Sequence, residues 1–210
     1  MPAVFDEIKG WLLSGHVWGI FFATPCGAFS RARRGNQGGW PAPLRDDVHP
    51  RGVPGLVGRD KAKVKEANLL ADRALLLYRV AAERGIVAVE ENPATSWLWS
   101  LEQRRVFVQK AEVSDVIVDH CAFGTAYRAR TRFRCCHVGP LPELSAQRCH
   151  GRGICSFSGE RHTHLSGKFG KDFMSAKKAE HPPELSRALA NILSKVHLNR
   201  ATAQRWALYK

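Results

Sequence analysis

The stretch that decides the fold is Val17–Ala23, VWGIFFA, which is followed directly by Thr24-Pro25-Cys26. Its residues are almost all apolar and mostly favour β structure, which is typical of a strand buried on both faces of a parallel sheet. The preceding residues 4–13 carry apolar side chains at the three-and-four spacing of an amphipathic helix. Cys26 is therefore predicted to lie just beyond the carboxyl end of a buried strand.

Two further elements follow with the spacing of a crossover unit. Residues 61–84 have sustained helical periodicity that stops before Gly85, and Ile86–Val89 is a second short apolar run that leads to Glu91-Asn92-Pro93. Strand, helix and strand in this order predict a right-handed crossover between parallel strands. Glu91 is then expected at the same edge of the sheet as Cys26.

The remaining patterns complete an α/β interpretation. They predict a long loop over 27–60, a helix over 96–111, a strand over 113–118 and a final helix from Pro182-Pro183 to about Val196. The predicted fold is α/β, a partial Rossmann-like sheet with flanking helices and a Cys/His-rich loop insertion. The predicted divisions are an α/β domain (1–134), the insertion (135–170) and a C-terminal helical segment that packs back on the α/β domain (171–210).

Composition favours a polyanionic partner. The 210 residues include 32 Lys and Arg against 19 Asp and Glu, a formal net charge of +13. Nucleic acid, DNA more than RNA, is the expected partner, with a membrane surface as a weaker second. No apolar stretch approaches the roughly 20 residues of a spanning helix, and the acidic start MPAVFDEIKG is unlike a secretory signal. We therefore expect an intracellular protein, nuclear or cytoplasmic, whose six cysteines serve chemistry or metal binding.

Three motifs occur in a meaningful order: Pro25-Cys26 with Phe29-Ser30, then Glu91-Asn92-Pro93, then Phe123–Arg130, FGTAYRAR. Over residues 4–133 this series resembles the DNA cytosine-5 methyltransferase family, with its Pro-Cys-Gln-x-Phe-Ser, Glu-Asn-Val and Tyr-Gly-Val-Pro-Gln-x-Arg-x-Arg motifs. The resemblance implies that the partial Rossmann-like sheet is a methyltransferase sheet. It also implies a covalent mechanism on a cytosine flipped out of the DNA duplex.

The resemblance also implies roles for individual residues. Cys26 would add to carbon 6 of the base, Glu91 would hold or protonate ring nitrogen 3, and Arg128 and Arg130 would grip the base carbonyl or a phosphate. This cationic setting is expected to lower the pKa of Cys26. The 27–60 loop, which carries Arg31, Arg33 and Arg34, would close over the DNA.

The cofactor half of the resemblance is missing. The family binds S-adenosylmethionine on a Gly-rich turn after the first strand and an acidic residue after the second, and nothing before Phe5 can supply either. If the chain is active, it is expected to be an S-adenosylmethionine-dependent DNA methyltransferase. The alternatives are a fragment, a degenerate copy, or a noncatalytic basic nucleic-acid-binding protein such as a mobile-element relic. A third class is another thiol enzyme, with His120 as the base of Cys26.

Plainer interpretations stay open at each position. Cys26 could be an inert core thiol and Glu91 a surface or helix-capping carboxylate, with Glu90 beside it confusing the register. The arginines at every second position from Arg128 to Arg134 could form the solvated face of a strand.

A separate group of metal-type ligands lies within residues 135–164, which hold four of the six cysteines and four of the nine histidines. Zinc prefers four Cys or His ligands in a tetrahedron, and an irregular segment gains folding energy from such a site. The spacing favours Cys149, Cys155 and His162, with Cys136 as the fourth ligand. The alternative is a loop with free thiols and solvated histidines.

Overall fold

A computed structural model describes residues 2–33, 41–110, 112–139, 141–165, 168–169, 172–173 and 180–207. The chain forms two compact units, the first from Met1–Val116 with Arg132–Gly139 and the second from Ile117–Thr131 with Pro140–Lys210. In this division Ile117–Thr131 groups with the residues that follow Gly139. The predicted divisions at 134 and 170 stay a prediction.

The protein is a mixed α/β structure with a four-stranded sheet and flanking helices. Its elements are α1 (Pro2–Leu13), β1 (Gly19–Ala23), α2 (Gly58–Glu83), β2 (Val87–Pro93), α3 (Glu102–Lys110), β3 (Val113–Asp119), β4 (Arg130–Cys136), α4 (Pro142–Ser145), β5 (Lys168–Phe169), β6 (Asp172–Phe173) and α5 (Pro183–Ala207). The short strands β5 and β6 pair with each other in a separate antiparallel ribbon.

The main sheet has the order β1-β2-β4-β3. Strands β1 and β2 are parallel, with Gly19 opposite Val87 and Ala23 opposite Glu91. On β3 and β4 the side-chain pairs Asp115–Arg134 and Asp119–Arg130 run in opposite directions along the two strands, as antiparallel neighbours require. The sheet is thus mixed, and its parallel part is the predicted crossover pair.

The turn from α2 into β2 follows from one glycine. Gly85 has a φ of +67°, the left-handed conformation that a side chain disfavours. Its amide donates to the carbonyl of Ala82, and the amide of Ile86 donates to that of Ala81. This Schellman motif ends the helix and sends the chain straight into the central strand β2, whose first four residues are buried.

Strand β1 is less buried than the sequence predicts. It lies at the edge of the sheet, and the burial of its last residues alternates. Phe22 packs in the core with Tyr78 and Leu12, whereas Phe21 is 42% exposed and its ring centroid lies 6.5 Å from that of Phe133. The prediction of burial on both faces is therefore wrong. Helices α1 and α2 cover one face of β1, and an edge strand has a neighbour on one side only.

The described residues of the predicted 27–60 loop contain no helix or strand up to residue 57, whereas residues 58–60 belong to α2. One buried arginine anchors the loop. The buried Arg45 donates to the carbonyls of Ala28 (2.8 Å) and Pro50 (2.6 Å) and to the side chain of Asn68 (2.8 Å). Its guanidinium also stacks 3.9 Å above the Phe29 ring. Arg45 thus links the start of the loop to its middle and to α2. Arg34 lies outside the described residues.

Two predicted helices differ in their bounds. The helix expected over 96–111 is divided into a 3₁₀ turn, Trp97–Ser100, capped by the Ser96 side chain, and α3. The final helix α5 continues to Ala207 instead of ending near Val196. Within the described part of the chain, no helix is both long enough and apolar enough to span a bilayer.

Candidate thiol site and metal cluster

Cys26 and Glu91 lie at the same edge of the sheet. Because β1 and β2 are parallel and Ala23 lies opposite Glu91, the two strands deliver both side chains to their carboxyl ends. Burial and the charge of Glu91 together raise the pKa of the half-buried Cys26 thiol. The prediction that a cationic setting lowers this pKa is wrong, because the charged group that acts on the thiol is a carboxylate.

The neighbours of Glu91 have structural roles. Glu90 is 1% exposed and forms a two-pronged ion pair with the equally buried Arg104, with N–O distances of 2.8 and 3.0 Å. The buried Asn92 donates its side-chain amide to the carbonyl of Thr24, which ties β2 to the segment before Cys26. Glu90 therefore belongs to the core, and Glu91 is the carboxylate whose charge acts on the Cys26 thiol.

Arg128 and Arg130 lie in the second unit and converge on one buried carboxylate. Their Nε atoms donate to Oδ1 of Asp119 at 3.0 and 3.1 Å, and Arg148 approaches Oδ2 at 3.4 Å. Burial alone would raise the pKa of Asp119, but hydrogen bonds from Arg128 and the Cys149 amide lower it. The predicted grip of these arginines on a base stays a prediction; in the structure they hold Asp119.

The next two arginines of the series lie in the first unit. Arg132 and Arg134 both pair with Asp115 and lie over the Trp99 ring, at 5.1 and 4.8 Å. Only 7% of the Arg134 side chain is exposed. The arginines of this strand therefore do not form a simple solvated face, since each has a carboxylate partner.

Four ligand-type side chains gather in the second unit. The sulfur atoms of Cys121, Cys149 and Cys155 and a ring nitrogen of His162 all lie within 4.8 Å of one another, and the three cysteines are buried. A zinc tetrahedron with Zn–S bonds of about 2.3 Å needs sulfur atoms about 3.8 Å apart. The cluster could hold a metal ion with small side-chain adjustments.

Backbone hydrogen bonds set the positions of these ligands. Cys121 sits in the 3₁₀ turn His120–Phe123 directly after β3. The amide of Cys149 donates to Asp119, at 2.9 Å. The amides of Cys155 and His162 donate to the carbonyls of Glu160 and Gly153, and the amide of Thr163 donates to Ala126. A small hairpin, closed by the bridge between Ile154 and Arg161, thus carries two ligands against the turn that carries the first.

The cluster also favours a metal electrostatically. Although burial opposes it, hydrogen bonds from the hydroxyl and amide of Ser156 and from the Gly151 backbone lower the pKa of Cys149 to about 6. The Cys149 sulfur lies 3.7 Å from Nε2 of His162. A thiolate is the form of cysteine that binds metal, so this cysteine is prepared for coordination.

The fourth member of the cluster is Cys121 and not Cys136. Cys136 is the last residue of β4, where it packs in the core of the first unit beside Tyr78 and Ala88. The sequence prediction missed Cys121 because it took ligands only from 135–164, where local spacing is visible. The sequence feature that could have indicated Cys121 is its position directly after a predicted strand. A residue at the end of a strand can contact a loop that lies much later in the sequence.

His120, the alternative base for Cys26, is fully buried in the second unit. Its Nε2 lies 2.9 Å from the hydroxyl of Thr131, and burial together with the nearby His181 lowers its pKa to about 4. The imidazole is therefore neutral at physiological pH and forms part of the packing around the cluster.

Comparison of the chain with known protein families, with curated proteins and with solved structures finds no match.

Proposed function

We propose that the protein adds a thiol covalently to cytosine in nucleic acid, as the DNA cytosine-5 methyltransferase resemblance implies, with Cys26 as nucleophile and Glu91 as acid. The observation that supports this most strongly is the meeting of the two side chains at the carboxyl ends of adjacent parallel strands. Ligands of open α/β sheets bind at this edge. The net charge of +13 suits a nucleic-acid substrate.

The chemistry assigns a step to each group. The Cys26 sulfur forms a bond to carbon 6 of the base and its proton leaves to water, while Glu91 gives a proton to ring nitrogen 3 as negative charge accumulates there. Carbon 5 of the resulting enamine is then nucleophilic. Carbon 5 then takes a proton from water or a methyl group from a donor, and it loses its original hydrogen as a proton to water. Ring nitrogen 3 returns its proton to Glu91 and the sulfur departs as a thiolate, which restores the ring double bond.

S-adenosylmethionine would supply the methyl group in this chemistry. Among the residues that the structure describes, neither parallel strand ends in the glycine-rich turn that the resemblance implies for this cofactor: β1 continues as Thr24-Pro25-Cys26, and β2 as Ala94-Thr95-Ser96. The chain as described does not fit the cofactor, so the proposal covers the addition to the base alone.

Two assays that need no methyl donor test this proposal. Duplex DNA carrying tritium on carbon 5 of cytosine should release tritium to water, and DNA with a pyrimidin-2-one base should form an adduct that peptide mass spectrometry locates at Cys26. Cys26→Ser should abolish both, and Glu91→Gln should slow tritium release by about 100-fold or more. The exposed Glu66 on α2 supplies the control Glu66→Gln. Release that survives Cys26→Ser, or no release and no adduct, would overturn the proposal.

The cluster of Cys121, Cys149, Cys155 and His162 favours a second candidate, zinc-supported nucleic-acid binding without catalysis. Three sulfur atoms and one imidazole nitrogen are a donor set that zinc prefers, and the four side chains close the site as in structural zinc centres. This candidate predicts salt-sensitive association with DNA or RNA that survives both Cys26→Ser and Glu91→Ala.

A further inference from the structure

A cleft of about 720 Å³ opens in the first unit beside the carboxyl end of β2. We call it the arginine–tryptophan cleft. The lining residues that matter for its chemistry are Arg31, Asp47, Trp99, Arg105, Arg132 and Arg134. Four guanidinium groups thus face a space large enough for one or two nucleotide units.

Tryptophan rings hold three of these arginines in place. The guanidinium of Arg31 lies 3.4 Å from the centre of the Trp97 ring, and those of Arg132 and Arg134 lie over Trp99. Trp99 is itself fixed, since its indole nitrogen donates to the carbonyl of Pro93 at 2.9 Å. Guanidinium groups that are already oriented lose less entropy when they bind an anion.

The carboxylates near the cleft do not neutralise it. Asp47 approaches Arg31 at 3.6 Å, but 86% of its side chain is exposed, so water screens this pair. Asp115 serves Arg132 and Arg134 together. The cleft therefore keeps an excess of positive charge.

The backbone connects the cleft to the thiol edge. Its wall Ala94–Ser96 follows directly after Glu91-Asn92-Pro93. The amide of Trp97 donates to the carbonyl of Phe29, and the amide of Phe29 donates to that of Cys26, both at 2.9 Å. A strand lying in the cleft would thus pass close to the reactive side chains.

We infer that the arginine–tryptophan cleft binds the sugar–phosphate backbone of the nucleic acid whose base is presented to Cys26. This inference rests on the proposed function, which it extends by naming the surface that holds the strand. Planar guanidinium groups bind phosphate with two parallel hydrogen bonds. Such backbone contacts position a nucleic acid without reading its sequence, which leaves base selection to the thiol edge.

Fluorescence anisotropy with labelled duplex DNA over a range of salt concentrations tests the inference. The variants Arg31→Gln and Arg105→Gln each change an exposed side chain of the cleft. The matched control is Arg84→Gln, because Arg84 is also exposed but lies before the first residue of β2. Each cleft variant should weaken binding severalfold and reduce the slope of log K against log salt by about 0.9, the value of one lost phosphate contact. Arg84→Gln should leave both unchanged.

The outcomes separate this inference from the proposed function. Cys26→Ser should retain the affinity for DNA and the salt slope. If the protein gives no tritium release and no adduct, but Arg31→Gln and Arg105→Gln still weaken DNA binding, the proposed function alone is overturned. If Arg84→Gln loses as much affinity for DNA as the cleft variants do, or if the cleft variants lose no affinity, the cleft is not the binding surface. The same measurements with RNA of the same sequence show which backbone the cleft binds. If the cleft variants weaken the binding of DNA alone, the cleft binds DNA; if they weaken the binding of both equally, it binds either backbone.

Discussion

Two cysteine sites in this chain have opposite chemistry. Cys26 is a half-buried thiol beside a carboxylate, and its pKa is raised. Cys149 is buried among two other sulfurs, a histidine and several hydrogen-bond donors, and its pKa is lowered to about 6. The difference shows that neighbours decide the role of a cysteine. In the proposed function the Cys26 thiol loses its proton when a substrate binds, whereas the lowered pKa of Cys149 favours the thiolate form that binds a metal.

The largest expected effect breaks the metal cluster. Cys155→Ser should lower zinc affinity by more than about 100-fold, because a structural site depends on all four ligands. Zinc content by mass spectrometry should fall, and hydrogen exchange should accelerate in residues 119–131 and 147–165. Cys136→Ser, which changes a buried thiol of the first unit, should retain zinc. Zinc loss in Cys136→Ser would contradict the assignment of Cys121 as the fourth ligand. Zinc retention in Cys155→Ser would contradict the cluster as the metal site.

The second effect concerns the buried pair behind the thiol edge. Arg104→Met should cost about 3–5 kcal/mol in the free energy of unfolding at neutral pH, because it leaves the Glu90 carboxylate buried without its ion-pair partner. Urea denaturation measures this loss. The neighbouring Arg105→Met, an exposed change on the same helix, is the control.

The pH dependence of Arg104→Met has a defined sign. Burial raises the pKa of Glu90, against the pull of Arg104. In the variant the folded state therefore holds the Glu90 proton more tightly than the unfolded state does. Such a group contributes stability below its unfolded pKa, and this contribution is lost as the pH rises through the folded pKa. The deficit of the variant should therefore shrink at acidic pH; a deficit independent of pH would contradict the role of Glu90.

A third experiment sharpens the contrast at Cys26. Glu91→Gln removes the negative charge that helps raise the thiol pKa, so the pH midpoint of Cys26 alkylation should move to lower pH. Iodoacetamide rates followed by peptide mass spectrometry give this midpoint, and the other five cysteines are buried. The control Glu66→Gln should leave the midpoint unchanged. A midpoint that rises in Glu91→Gln would show that the carboxylate acts on the thiol in another way.

The parts that could be predicted from sequence are those that depend on local periodicity. The alternation of apolar runs with α2 predicts the crossover, and parallel strands then bring Cys26 and Glu91 to one edge, as the register of Ala23 and Glu91 requires. A prediction of this kind needs no knowledge of distant contacts.

The features that could not be predicted from sequence depend on contacts between residues that are far apart in the chain. The local pattern of Arg128 and Arg130 predicts an anion-binding site, whereas in the structure both guanidinium groups pair with the carboxylate of Asp119. Cys121 lies in a cluster whose other members follow β4 in the sequence. Cys136 is not part of that cluster, because β4 extends to this residue and places its side chain in the core. In each case a long-range pairing outweighs the local pattern, and no spacing rule within one segment contains it.

The smallest expected effect separates reactivity from stability. Cys26→Ser should change the free energy of unfolding by less than about 1 kcal/mol, since the side chain is only half-buried and the replacement has a similar size. Thermal denaturation, run beside Cys155→Ser with zinc present, gives the two values to compare. A loss at Cys26 as large as that at Cys155 would make Cys26 a structural thiol of the core. A small loss, together with abolished tritium release, would identify a residue retained for its chemistry.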